Sequence, residues 1–191
     1  SLSGNNYLAR LSHFSFWNCD IPADFISLRG KLINTEFDEP FQNAKVTVTS
    51  SSYGSASDIS NAQGEFGGFV PSNQVLTLTV DLPCGSIGTL TNVYTGNIGP
   101  FSDSTILDSI GITIAGSTKV TGFVVNCNDD IFGGSYIVVN GQAIFTTAGQ
   151  FSFVSCGDSV EIKSFKADPW MKGISGSFSL SGGNLNIGNL R

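Results

Sequence analysis

A polar run that closes on a glycine and opens at once into an apolar strand occurs twice in this chain. The first copy is Asp58-Ile59-Ser60-Asn61-Ala62-Gln63-Gly64-Glu65-Phe66, and the second is Thr146-Thr147-Ala148-Gly149-Gln150-Phe151-Ser152-Phe153-Val154. Glycine takes a positive φ without a Cβ penalty, so Gly64 and Gly149 are expected as the reversal points of two β-hairpins. Two copies of one turn, each inside a similar series of short strands, predict two copies of one domain.

The strands around each turn are short, alternating and bounded by Gly, Pro, Asn and Ser. In the first copy they are expected over 25–33, 44–49 and 75–80, with a serine-rich loop at 50–57 and closing stretches at 98–102 and 106–112. In the second copy the matching segments are 120–125, 136–139, 160–163, 174–179 and 185–188. Phenylalanine, valine, isoleucine and threonine dominate these runs, charged residues make up only 13% of the chain, and no helical window occurs. These residues suit a half-buried pleated surface, so the chain is expected to be all-β, built as two β-sandwiches. The expected division is an aromatic-rich strand or linker from a preceding domain over 1–22, a first sandwich over 23–115 and a shorter second over 116–191.

The net charge of −6 argues against nucleic acid, whose phosphates need clustered Lys and Arg. No apolar run approaches the roughly 18 residues of a membrane-spanning helix, so no transmembrane segment is expected. Ser1-Leu2-Ser3-Gly4 lacks the basic and hydrophobic parts of an export signal, which is expected of a chain cut from a longer one that carries other domains.

The four cysteines, Cys19, Cys84, Cys127 and Cys156, form no CxxC pair and have no histidine beside them, which disfavours zinc. Aligned on Phe66/Phe151, Cys156 falls on Pro71; aligned on Gly30/Gly122, Cys127 falls on Thr35. Both cysteines are present in one copy and both absent from the other, as expected of a pair. A Cys127–Cys156 bridge is therefore expected, leaving Cys19 and Cys84 for each other. The alternative is four reduced, buried thiols.

The opening strand with Gly30, the run "EPFQNAKVTVTS", the run "SDISNAQGEFGGFVP" and "LTLTV" together resemble the carboxypeptidase regulatory-like domain, a transthyretin-like (prealbumin-like) β-sandwich. The second copy is similar, with a shortened middle. The leading "LSHFSFWNCD" resembles a segment that precedes such repeats in secreted and envelope-anchored bacterial proteins. The resemblance implies two tandem transthyretin-like sandwiches at the cell surface, as in an anchored lipoprotein or adhesin, acting as spacer or protein-interaction module. It implies no chemistry, since this domain is an accessory one.

The residues agree with that implication. One histidine, His13, cannot build the zinc site of a metallopeptidase, and it lies far from any nucleophile turn. Neither catalysis nor a cofactor is expected. The oxygen-rich turns at 58–63 and 126–130 lack the full ligand spacing of a calcium loop, and capping of the turns explains them, so no metal is expected. The alternative function is carbohydrate binding by exposed aromatics, with Trp170, Tyr53 and Tyr94 as the candidate platform.

Overall fold

The computed structural model describes residues 24–191 apart from 85–87, 167–170 and 174–175. Before residue 24 it describes only the two-residue strands β1 (Leu2–Ser3) and β2 (Asn6–Tyr7), which pair antiparallel. The chain continues as β3 (Phe25–Asn34), β4 (Glu39–Pro40), β5 (Lys45–Ser50), β6 (Gly54–Ile59), β7 (Glu65–Pro71), β8 (Leu76–Pro83), β9 (Thr89–Ile98), β10 (Thr105–Ile106) and β11 (Ile110–Ile112). It ends with β12 (Thr118–Val124), β13 (Ser135–Val139), β14 (Gln142–Phe145), β15 (Gln150–Ser155), β16 (Ser159–Lys166), β17 (Met171–Lys172), β18 (Gly176–Ser179) and β19 (Gly183–Leu190). The fold is all-β; no helix occurs among the described residues, and so none long and apolar enough to cross a membrane.

In the first half, β3 pairs antiparallel with β4 and β7 and parallel with β10 and β11, while a second sheet runs β6-β5-β8-β9. In the second half, β12 lies between antiparallel β15 and parallel β19, and the other sheet runs β14-β13-β16 with β17 and β18 against β16. The pairing corresponds strand for strand: β3 with β12, β5 with β13, β6 with β14, β7 with β15, β8 with β16.

Each half closes over its own apolar core. Alternation in β8 buries Leu76, Leu78, Val80 and Leu82 against Leu28, Leu32, Val46 and Val48. Alternation in β12 and β16 buries Val120, Val160 and Ile162 with Ile137 and Phe151. Full burial of each Leu, Ile or Val stabilises by roughly 1.5–3 kcal/mol. Burial with period two is what the sequence alternation predicts.

The two halves share one packing device. Gly30 faces Phe66 across β3 and β7, and Gly122 faces Phe151 across β12 and β15. A Cβ on Gly30 would stand 2.5 Å from Cζ of Phe66, and one on Gly122 would stand 2.6 Å from Cζ of Phe151. Each ring thus occupies the space its opposite residue leaves empty.

Three expectations change. Gly64 and Gly149 do adopt positive φ, 76° and 83°, but they do not join two paired strands. β6 pairs with β5 and β7 with β3, so Gly64 marks a corner where the chain passes from one sheet to the other. Gly149 does the same between β14 and β15. The serine-rich segment 50–57 is not a loop: β6 takes it up from Gly54, and the hydroxyls of Ser55 and Ser57 meet those of Thr49 (2.8 Å) and Thr47 (3.3 Å). Its composition is that of an exposed edge strand, where polar residues guard the unpaired side. The long edge strand β9 also lies in a stretch for which the alternation gave no strand.

Candidate functional site

Among the described residues, the junction of the two halves of the chain carries a disulfide, an ion pair and hydrogen bonds between them. Cys84, at the end of β8, is joined to Cys156, just past β15, with Cα atoms 4.9 Å apart. This bridge links the two halves across 72 residues of chain. Cys156 and Val154 pack onto the core of the first sandwich. Beside them Glu39 on β4 accepts from Lys119 Nζ at 2.6 Å and from Ser152 Oγ at 3.0 Å, both in the second sandwich. The pair is only a fifth to a quarter exposed, where screening is weaker than at an open surface. Ser117 Oγ adds a long hydrogen bond to Glu36 at 3.5 Å.

A cleft of about 230 Å³ opens at this seam. Its floor is aliphatic, with Leu82, Ile114, Val139 and Ile144, and the disulfide lies in its wall. Its rim carries Gln42 and Asn43 from the first sandwich and Asn140 and Gln142 from the second. Among the described residues, no ionisable side chain lines it. Asn140 and Gly141 form the two-residue turn between β13 and β14, with φ of 48° and 88°, the signature of a type I′ hairpin. That turn fixes Asn140, whose Oδ1 accepts from Glu161 N at 3.1 Å, and sets Gln142 beside it.

The pairing expected for the cysteines is corrected here. Cys156 is bonded to Cys84, and Cys127 is an exposed free thiol. The two-copy comparison could weigh only contacts within a sandwich, whereas Cys84 meets Cys156 because the end of β8 and the end of β15 both face the seam. Cys19 lies outside the described residues, as do His13 and Trp170. Tyr53 packs edge-on to Phe25 with ring centroids 6.3 Å apart, and Tyr94 lies over Gly96 on its own strand. Both tyrosines rest against the first core instead of standing out as a platform.

The two oxygen-rich turns prove to be the same capped turn. Asn61 Oδ1 accepts from the N–H groups of Gln63 and Glu65, and Asn61 Nδ2 donates to the Glu65 carboxylate. Asn126 Oδ1 accepts from the N–H groups of Asn128 and Asp130, and Asn126 Nδ2 donates to the Asp130 carboxylate. Asp58 spends its Oδ2 on Gly67 N at 2.8 Å, tying β6 to β7 around the corner. Asp129 forms a forked ion pair with Arg191, with Nη2 2.6 Å from Oδ2 and Nε 3.0 Å from Oδ1. These hydrogen bonds hold the Asp129 carboxyl below the usual carboxylate range, against an opposing desolvation, and the charge of Arg191 adds to them.

Sequence reasoning missed the cleft. One signal was available: Asn140-Gly141 between alternating apolar runs is the strongest short-range hairpin signature. Nothing in sequence placed that hairpin beside Gln42 and Asn43.

No family model matches the chain, and no curated protein matches it. Among solved structures, the chain is similar to the TIE protein of Bacillus anthracis, with 11% identity over 87% of this chain and 34% of that one, at a TM-score of 0.41. The chain thus spans about a third of that protein's length. It is also similar to the shaft pilin SpaA of Lactobacillus rhamnosus GG, with 8% identity over 89% of this chain and 98% of that one, at a TM-score of 0.33. The minor pilin of Streptococcus agalactiae gives 8% identity over 86% and 95%, at 0.34. TM-scores this low do not define a shared arrangement of strands, and no functional conclusion is drawn from them.

Proposed function

We propose that this chain is a non-catalytic structural module of an exported surface protein, a stiff two-sandwich spacer that presents or contacts another protein. The observation that carries this reading is the Cys84–Cys156 bond. A disulfide inside one sandwich would stabilise that sandwich alone; one across the seam removes the bending freedom of the link at 113–117. It acts together with the Lys119–Glu39–Ser152 contacts and the packing of Val154 on the first core. A structural disulfide also fits an oxidising compartment outside the cytosol.

Within this reading, 23–115 and 116–191 are the two domains, related to the transthyretin-like sandwiches that the sequence resembles. Attachment to the envelope would come from parts of a parent chain. The partner in this reading is another protein; the packing of Tyr53 and Tyr94 against the first core gives no support to a glycan platform built on them.

Small-angle scattering tests the stiffness. The oxidised protein should fit a single rigid arrangement, and the double variant Cys84→Ser, Cys156→Ser should require an ensemble of bent ones. An oxidised protein that itself requires an ensemble refutes the proposal.

A further inference from the structure

We infer that the seam cleft is a binding site for an uncharged, extended peptide segment of a partner protein. The chemistry of the walls selects this ligand. Three half-buried carboxamides, Gln42, Asn43 and Gln142, line the cleft, and their side chains have no hydrogen-bond partner among the described residues. A carboxamide offers a donor and an acceptor side by side, the complement of a peptide group. The three amides reach solvent at the rim, so a bound peptide group would take the place of water on each of them.

The floor between them is aliphatic, so one apolar side chain of the segment has a place to go. Without an ionisable group among the described lining residues, a charged segment would be desolvated with none of them to compensate it. The two rings in the lining, Phe41 and Phe153, are buried at 7% and 4% exposure and present no face on which a sugar would stack. Main-chain recognition with one side-chain pocket is a known way to read extended peptides.

The site takes one wall from each sandwich, so it rests on the reading of the molecule as one stiff unit. Heteronuclear NMR of the isotope-labelled, oxidised protein tests the cleft alone. The probe is an uncharged pentapeptide of alternating threonine and valine, acetylated and amidated at its ends. The side-chain amide signals of Gln42, Asn43 and Gln142 should shift together with millimolar affinity. The Gln42→Ala, Gln142→Ala variant should bind at least about ten-fold more weakly. Unmoved cleft signals in a protein that scattering finds stiff would overturn this inference and leave the spacer reading intact. Equal binding of a glutamate-substituted pentapeptide or of maltotriose would overturn it as well.

Discussion

At the scale of single residues, the glycines under Phe66 and Phe151 are exacting positions. Gly122 faces Phe151 Cζ at 2.6 Å and Gly188 O at 2.8 Å from where a Cβ would stand, so both a ring and a backbone oxygen must yield. Gly122→Ala is expected to cost about 1–3 kcal/mol, the usual penalty of overpacking. Gly68→Ala is its control: it has open space within 4 Å and should change stability by less than about 0.5 kcal/mol. Thermal denaturation of the two variants separates these outcomes. Asp129 supplies a test in pH. Its folded carboxyl titrates below its unfolded value, so its pair with Arg191 contributes fully above the unfolded carboxylate range and is lost as pH falls through the folded midpoint. Titration of the Asp129 carboxyl by NMR should give a midpoint under the usual carboxylate range, moving back toward it in Arg191→Gln and at high salt. Arg191 is shifted the opposite way, upward, by the same hydrogen bonds.

At the scale of elements, one buried hydroxyl at the end of β6 ties the corner after it to the segment that leads into β5. Ser60 Oγ donates to Phe41 O at 2.6 Å and accepts from Ala44 N at 2.9 Å, holding the turn that leads into β5. Ser60→Ala strands both backbone groups in a site only 2% exposed, at an expected cost of roughly 1–3 kcal/mol in chemical denaturation. The same corner shows what the sequence could and could not convey. The positive φ of Gly64 was legible, because a glycine after Asn-Ala-Gln has few other uses. The destination of the following strand was not, since period-two alternation in β7 reads alike whether β7 joins β6 or β3. Likewise β8 and β12 announce themselves by burial, while β6 carries little apolar surface and the Leu90, Tyr94 and Ile98 face of β9 is interrupted by Asn92 and Gly96. The candidate site was the least legible part: its rim comes from residues about a hundred positions apart, and only the docking of two sandwiches brings them together.

At the scale of the whole molecule, the position of the covalent bond decides how the two halves are held. Closing 72 residues with Cys84–Cys156 should stabilise by about 4 kcal/mol on a chain-entropy basis. The bond ties the end of β8 to the end of β15, beside the cleft. A bond between Cys127 and Cys156 would instead lie wholly within the second half, leaving the seam, among the described residues, to the Lys119–Glu39 pair, the Ser152 and Ser117 hydrogen bonds and the packing of Val154 on the first core. The decisive measurement is a peptide map of the protein digested without reduction, with free thiols blocked beforehand. The structure predicts a cross-linked species joining the Cys84 and Cys156 peptides and a Cys127 peptide outside that species. A cross-linked species joining Cys127 to Cys156 would contradict the account and, with it, the stiff seam on which the proposed function stands.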